Sequence, residues 1–153
     1  MYELERLYRR EFVRFVRVAT AITRDADVAA DVVQESFARA IKHHGDFRDE
    51  GPLEAWIWRI VLNEAKRAPT SRAVGEFATQ APAANGSSLD ETAVRVLIAA
   101  LPERQRLAVF LRYYADLDYR TIAGVLAIET GTVSATLAAA HRALRDAIEG
   151  VRS

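Results

Sequence analysis

Apolar residues recur along the chain at steps of three and four positions, the spacing of one face of an α-helix. The clearest example covers residues 2–23, where a single apolar face predicts an amphipathic helix. The members of that face are Leu4, Tyr8, Phe12, Phe15, Ala19 and Ile22. A second helix is predicted from a cap at Asp25 or Asp27 to an end at Gly45, and a third begins at Pro52. The first part of the chain therefore has the pattern of a helical bundle.

The helical pattern stops at residues 68–88, where two Pro, two Gly and many small residues predict a flexible linker. Ser88 and Glu91 then have the spacing of a capping box, which predicts the start of a second helical block. No stretch alternates apolar and polar residues as a half-buried strand does. We therefore predict an all-α fold of two small helical domains, residues 1–67 and 89–153, joined by the linker.

The second domain contains the pattern of a helix-turn-helix. Pro102 marks the start of one helix, Asp118 is the predicted cap of a short helix, and Thr130 is the predicted cap of a long final one. Ala123 is small where the last two helices would cross closely. Apolar contacts that would fix their angle come from Ile122, Leu126, Ile128, Val133 and Leu137.

The charges of the chain balance, with 21 Lys and Arg against 21 Asp and Glu. Residues 1–67 hold 12 of each sign, residues 68–88 one of each, and residues 89–153 eight of each. A protein that binds nucleic acid by charge alone carries a basic excess, which is absent here. We therefore expect weak binding of duplex DNA by the isolated chain, with added affinity supplied by a partner.

Residues typical of catalytic or metal chemistry are sparse. The chain has no Cys and three His, which excludes disulfides, thiol nucleophiles and cysteine-containing metal sites. No glycine-rich phosphate loop or HExxH motif is present. Asp31 and Glu35 lie one helical turn apart, and on an exposed helix face such a carboxylate pair is typical of a solvated or partner-binding surface. His43 and His44 have no carboxylate at the spacing expected of a further metal ligand. The sequence predicts no enzyme activity, no cofactor and no metal.

The apolar runs are shorter than the roughly 18–20 residues that span a bilayer. The N-terminal residues, MYELERLYRREF, lack the uninterrupted apolar core of a signal peptide. We therefore expect a cytoplasmic protein without membrane insertion.

Several segments, in order, resemble motifs of one protein family. Residues 30–40, ADVVQESFARA, resemble its A-E-D-[LV]-[VT]-Q-[ED]-[TV]-F helix, and Phe47 with residues 56–63, WIWRIVLN, resembles its F…W-L-x-x-I-x-x-N segment. Residues 101–106 resemble L-P-x-x-x-R, and residues 119–144 resemble its helix-turn-helix motif. The chain thus resembles, nearly end to end, the extracytoplasmic-function sigma factors of bacterial RNA polymerase.

The resemblance implies partners and roles for named residues. The partners are core RNA polymerase and promoter DNA, and an anti-sigma factor is a further partner known in the family. The polar face of the second helix would grip the polymerase clamp through Asp31, Gln34, Glu35 and Arg39. Contacts to the minus-ten element would come from Phe47, Arg48, Trp58, Arg59, Asn63, Lys66 and Arg67. Contacts to the minus-thirty-five element would come from Arg120, Thr130, Thr132, Ser134, Thr136, His141 and Arg142.

Trp58 has two interpretations. It lies about 200° around the helix from Trp56, which is expected on the inner face with Ile57 and Ile60. An outward Trp58 would stack on an unpaired base and help to offset the cost of opening the duplex. The alternative is that Trp58 packs on the first helix.

The sequence also departs from the family. Between Arg120 and Arg142 it has no Lys or Arg, although family recognition helices usually carry basic residues there. Thr121 replaces the usual Glu before Ile122. These departures keep open a sigma-like interaction protein that binds polymerase or an anti-sigma factor with weakened or lost promoter recognition. A stand-alone dimeric helix-turn-helix regulator and a helical hydrolase are the remaining alternatives.

Overall fold

The computed structural model describes residues 2–47, 51–69 and 88–152, with side-chain surroundings given for all but 88–91, 151 and 152. Every element in these ranges is helical, which confirms the predicted all-α class. Helices α1 to α7 are, in order, Tyr2–Thr23, Ala26–Lys42, Leu53–Arg67, Ser88–Ala99, Glu103–Val109, Tyr119–Leu126 and Thr130–Arg152. The predicted linker lies outside the described residues from 70 to 87.

Aromatic side chains hold the first three helices together. Phe15 of α1 stacks on Trp58 of α3, with ring centroids 4.1 Å apart and an interplanar angle of 29°. Phe37 of α2 meets Phe15 edge-on at 5.2 Å, and Tyr8 meets Phe37 edge-on at 5.0 Å. Aromatic pairs at these distances add to the stabilisation from apolar burial. The result is a bundle in which α1 and α2 present their polar faces to solvent.

The turn between α1 and α2 shows how polar residues set the helix boundaries. The carboxylate of Asp25 accepts hydrogen bonds from the backbone N–H groups of Asp27 and Val28, so Asp25 is the cap of α2. Thr23 is fully buried, and its hydroxyl is satisfied by the backbone of Asp25. Helix α2 ends at Lys42, before a short 3₁₀ turn over His44–Asp46. The sequence prediction placed its end slightly later, at Gly45.

The second half of the chain is built around α7, which packs against α4, α5 and α6. Helix α5 continues directly into a π-helical segment, Phe110–Tyr114, in which the N–H of Ala115 bonds to the carbonyl of Phe110. Arg112 then closes the following turn, because its guanidinium donates to the carbonyl of Leu117. This segment and the turn after it set the direction in which the chain enters α6.

The two halves pack against each other. Helix α3 lies against α6, and α1 lies against the π-helical segment, so one continuous apolar core runs through both. A guanidinium nitrogen of Arg17 donates to the carbonyl of Tyr114 at 3.3 Å across this boundary. The domain limits 1–67 and 89–153 remain a prediction.

Within the described part of the chain, no single helix is long and apolar enough to cross a membrane. The bent pair formed by α6 and residues 130–150 of α7 meets the criterion by length and composition alone, with a bend of 96°.

Candidate nucleic-acid interface

The residues predicted to grip the polymerase clamp share the outer face of α2. Asp31, Gln34, Glu35 and Arg39 are all exposed, while Val33 and Phe37 of the same helix are buried. The helix therefore separates an apolar face that packs on α1 and α3 from a polar face that is open to a partner.

Glu64 of α3 connects this polar face to the next surface. Its carboxylate lies 3.5 Å from Arg39 and 3.3 Å from Arg67, and its side chain is only 17% exposed. Arg39 also lies 3.8 Å from Glu35 along α2. Glu64 is not among the predicted site residues. Its position one turn after Ile60, with Arg67 three residues later, was a possible signal.

Trp58 does not face DNA, so its predicted contact with the minus-ten element is wrong. The side chain is fully buried and is stacked on Phe15. The inner arc of α3 is made by Ala55, Ile57, Trp58, Val61, Leu62 and Ala65. Trp58 lies in the middle of this arc, so packing on the first helix is the correct interpretation.

Trp56 is instead the tryptophan with access to solvent. It is half-buried and lies 5.4 Å, centroid to centroid, from the half-buried ring of Phe47. At about 100° per residue, Trp56 points within about 20° of Asn63, seven positions later. The predicted contact Arg48 lies outside the described residues, so Phe47 is the last described residue of this loop before Gly51.

The polar residues predicted on α3 form one exposed face. Arg59, Asn63, Lys66 and Arg67 are all exposed, and their spacing of four, three and one residues places them on the same side as Trp56. The structure thus brings three cations, one amide and an aromatic pair together on one side of the first domain.

Burial raises the pKa of Glu54, at the start of α3. Desolvation of its half-buried carboxyl is the main cause, and an interaction with the indole of Trp58 opposes the shift in part. The neighbouring Glu11 raises the pKa further. Glu54 lies at the end of the bundle, in a shallow cleft with Arg6, Arg10 and Leu53. It is therefore separate from the exposed face of α3.

The second domain has helix-turn-helix geometry. Helices α6 and α7 meet at 96°, within the range typical of the motif. Asp118 caps α6 by accepting from the N–H of Thr121 at 2.8 Å, and hydrogen bonds from Thr121 lower the pKa of Asp118. The turn depends on Ala127, which adopts a left-handed conformation with φ of 57° and ends α6. Thr130 is already the first residue of α7, one position later than a cap would be.

The residues predicted to contact the minus-thirty-five element are not all accessible. Arg120, Thr130, Ser134, His141 and Arg142 are exposed, and Thr132 is half-buried. Thr136 is buried, with 9% of its surface exposed.

Thr136 is therefore a wrong prediction as a DNA contact. It belongs to the inner side of α7 with Val133, Leu137 and Ala140, which pack in the core. His141 is exposed but already engaged, since its Nε2 lies 2.7 Å from the hydroxyl of Tyr113. Arg145 extends the outer side of α7 one turn past His141 and was missed by the sequence analysis.

No group of three or more His, Cys, Asp or Glu side chains among the described residues is placed to hold a metal ion.

Comparison with known proteins assigns both halves of the chain. Residues 7–73 match Sigma-70 region 2, and residues 91–144 match Sigma-70, region 4. The RNA polymerase sigma-H factor of Pseudomonas aeruginosa is 32% identical over 157 residues, covering 90% of this chain and 78% of that protein. The ECF RNA polymerase sigma-E factor of Salmonella typhimurium is 29% identical over 156 residues, covering 87% and 81%.

The fold is shared with solved sigma factors. The sigma factor RpoE of Bartonella quintana, solved in complex with the anti-sigma factor NepR, superposes with a TM-score of 0.70 at 21% identity. That match covers 97% of this chain and 98% of the other.

Proposed function

The chain belongs to the extracytoplasmic-function sigma factors of bacterial RNA polymerase and serves in transcription initiation, and we propose how its surfaces divide that work. The outer face of α2 binds core polymerase, the exposed face of α3 engages the minus-ten element, and α7 contacts the minus-thirty-five element. The observation that carries this division is the placement of the exposed polar residues on three separate helices of one chain. The work is binding and duplex opening, without covalent chemistry.

Docking to the polymerase uses Asp31, Gln34, Glu35 and Arg39. Two carboxylates, an amide and a guanidinium on one exposed face suit a partner surface that offers both cations and hydrogen-bond groups. Glu64 lies between Arg39 of α2 and Arg67 of α3, so ion pairs connect the docking face to the neighbouring DNA-facing helix. Buried Val33 and Phe37 hold α2 rigid beneath this face.

Promoter opening uses the aromatic pair of Phe47 and Trp56. Unpaired bases stack on such rings, and each stacked base is worth about 1–3 kcal/mol, which offsets part of the cost of unstacking. Arg59, Lys66 and Arg67 on the same side of α3 supply cations for the phosphates of the separated strand. Asn63, directly in line with Trp56, offers an amide to a base edge.

Recognition of the minus-thirty-five element uses hydroxyls more than cations. Thr130 and Ser134 are exposed near the start of α7, and Arg120 and Arg142 flank the uncharged stretch. Hydroxyls bond phosphates and bases without the charge of Arg or Lys. Much of the affinity for promoters must therefore come from the polymerase. Both halves of the chain match sigma factor regions, and none of these matches favours a protein that has lost promoter recognition.

An anti-sigma factor is a further proposed partner. The proposal rests on the fold shared with a sigma factor solved together with an anti-sigma factor. A cytoplasmic location follows from the proposed partners, since polymerase and chromosome are found there.

The docking assignment is tested by reversing two charges. Asp31→Arg with Glu35→Arg should reduce binding to core polymerase at least tenfold while leaving helicity unchanged, because exposed helix charges contribute little to stability. The measurement is affinity for core polymerase by fluorescence anisotropy. The matched control is Glu3→Arg with Glu5→Arg, which makes the same charge change on the exposed side of α1 and should bind normally. Equal affinity for both double variants would contradict the assignment.

A further inference from the structure

The π-helical segment presents an exposed tyrosine to α7. Tyr113 is 55% exposed, and its hydroxyl oxygen lies 2.7 Å from Nε2 of His141. The two rings also lie close together, with their centroids 5.7 Å apart. The two residues are 28 positions apart in the sequence, so this contact joins two different elements. π-Helical turns are rare and frequently lie at functional sites, which makes the pair a candidate for a role in binding.

Arg112 restrains the ring of Tyr113. The central carbon of its guanidinium lies 6.0 Å from the ring centroid of Tyr113 and 6.0 Å from that of Tyr119, at the start of α6. The guanidinium also donates to the carbonyl of Leu117 at 3.2 Å, which fixes its own position. A cation over an aromatic ring is attracted to it. Tyr113 is therefore exposed and yet held in place, as a residue that positions a neighbouring side chain needs to be.

His141 lies on the side of α7 that is proposed to face DNA. At about 100° per residue it points within about 20° of Ser134, and both residues are exposed. The stretch from Thr121 to His141 contains no Lys or Arg, so the imidazole is the only basic group in it. A phosphate that approaches this stretch therefore has one basic side chain to bind.

The contact with Tyr113 determines what His141 offers to a partner. When the tyrosine hydroxyl donates to Nε2, the proton of the neutral imidazole is on Nδ1, which is then a hydrogen-bond donor. The protonated imidazole also has an N–H group at Nδ1. An acceptor such as a phosphate oxygen selects these two forms, because both donate from Nδ1.

The position of His141 along α7 favours a phosphate over a base as its partner. In helix-turn-helix proteins the N-terminal residues of the recognition helix contact the base edges. His141 comes 11 residues after Thr130, which is about 16 Å along the helix. The major groove is only about 12 Å wide and 8.5 Å deep. A helix that enters the groove by its N-terminus therefore brings His141 to the level of the sugar-phosphate backbone.

We propose that Tyr113 and His141 form a binding site for one backbone phosphate of the minus-thirty-five element. His141 donates from Nδ1 to a phosphate oxygen, and Tyr113 is a positioning residue that holds the imidazole in this orientation. The inference rests on the proposed function. It adds a phosphate contact to a recognition helix that is short of cations, and it brings a residue from outside α6 and α7 into promoter recognition.

Two substitutions separate the roles of the pair. Tyr113→Phe removes the hydroxyl and keeps the ring, whereas His141→Ala removes the donor. The measurement is the affinity of the holoenzyme for a promoter fragment on which the wild type initiates. Tyr113→Phe should weaken binding about threefold and His141→Ala about tenfold, because one net hydrogen bond contributes factors of this size. The double variant should bind no more weakly than His141→Ala alone, since the tyrosine acts through the histidine.

Tyr2→Phe is the matched control for the lost hydroxyl. Tyr2 is also an exposed tyrosine with an arginine beside its ring, but it lies on α1, and Tyr2→Phe should bind the promoter normally. Tyr113→Phe and His141→Ala should both keep wild-type helicity, because both side chains are exposed. A Tyr113→Phe variant that binds as tightly as wild type, or a double variant whose losses simply add, would overturn the positioning role.

Uncharged phosphate analogues identify the ligand. A methylphosphonate linkage is placed at one backbone position at a time across the minus-thirty-five element. One position should weaken binding of the wild type several-fold and cause no further loss in His141→Ala, because the contact is already absent there. Equal losses for both proteins at every position would overturn the phosphate site. A loss in His141→Ala that depends on the identity of one base pair would overturn it in favour of a base contact.

The same measurements separate this inference from the proposed function. If the wild-type holoenzyme binds and initiates and both substitutions leave its affinity unchanged, only the phosphate site is contradicted. If the wild-type protein forms no promoter complex with core polymerase, the proposed function is contradicted and this inference with it.

Discussion

Trp56 and Trp58 lie two positions apart on α3 but have different roles. Trp58 fills the centre of the first bundle against Phe15, whereas Trp56 is half-buried beside Phe47 on the proposed minus-ten surface. The apolar pattern correctly predicted a helix here but placed Trp56 on the inner face, and it left Trp58 open between an outward position and packing on the first helix. Large apolar residues occur on both sides of α3, so periodicity alone did not determine its direction. The solvent-facing side of α3 is better indicated by the four polar residues on the side of Trp56, which are Arg59, Asn63, Lys66 and Arg67.

The two tryptophans should respond differently to removal. Trp58→Ala should lower the free energy of unfolding by about 3–5 kcal/mol, because it leaves a large cavity in the bundle. Trp56→Ala should cost less stability than Trp58→Ala, because part of the Trp56 ring is exposed, and it should reduce promoter opening roughly tenfold or more. Urea unfolding measures the first effect, and permanganate reactivity of unpaired thymines in the holoenzyme complex measures the second. Equal promoter opening by Trp56→Ala and wild type would remove Trp56 from the minus-ten surface.

The raised pKa of Glu54 determines the direction in which the stability of the protein changes with pH. Its pKa is raised in the folded chain, so the folded state holds the proton more tightly than the unfolded state does. The resulting stabilisation is present below the unfolded pKa of about 4.5 and is lost as the pH rises through the folded value. Glu54→Gln should therefore increase stability modestly at pH 7 relative to wild type and lose this advantage near pH 4. Thermal unfolding of both proteins across pH 4–7 measures this difference in stability. A Glu54→Gln variant that is less stable than wild type at pH 7 would contradict the burial of an ionised Glu54 as a source of destabilisation.

At the scale of single elements, the boundaries followed from local chemistry. The cap at Asp118 and the start of α3 after Pro52 were predicted from the residues, and the cap of α2 was narrowed to Asp25 or Asp27, because each is a local preference of the backbone. The π-helical segment Phe110–Tyr114 was not predicted, since no residue pattern marks the extra residue that it accommodates. Thr136 was misplaced for a related reason. Threonine is found on both the buried and the exposed side of amphipathic helices, so its residue type did not show that Thr136 faces the core.

The outer side of α7 should gain affinity for DNA when charge is added. Ser134 and Ala138 are exposed one turn apart, so Ser134→Lys with Ala138→Arg should steepen the salt dependence of promoter binding by about 0.9 per new phosphate contact. Ala143→Arg is the control, because it adds one cation about 180° around α7 from Ser134. Binding by holoenzyme across a salt series is the measurement. A slope that changes equally in both variants, or in neither, would show that this side of α7 does not face DNA.

At the scale of the whole molecule, the order of motifs carried the assignment. Each motif alone is compatible with several helical folds, but their order along 153 residues, with a linker of suitable length between them, indicates one family. The closed packing of the two halves was not predictable in the same way. It depends on Gly124 fitting against Ala55 across about 70 positions, and no local pattern records a contact between small residues so far apart.

Run-off transcription measures whether the protein directs initiation. Core polymerase from the source organism, genomic fragments and the purified protein should give transcripts that begin at discrete sites and require the protein. Trp56→Ala should reduce those transcripts, and the double variant Asp31→Arg with Glu35→Arg should abolish them. If the protein binds core polymerase tightly but yields no protein-dependent transcript from any fragment, it does not direct initiation, and the account is contradicted.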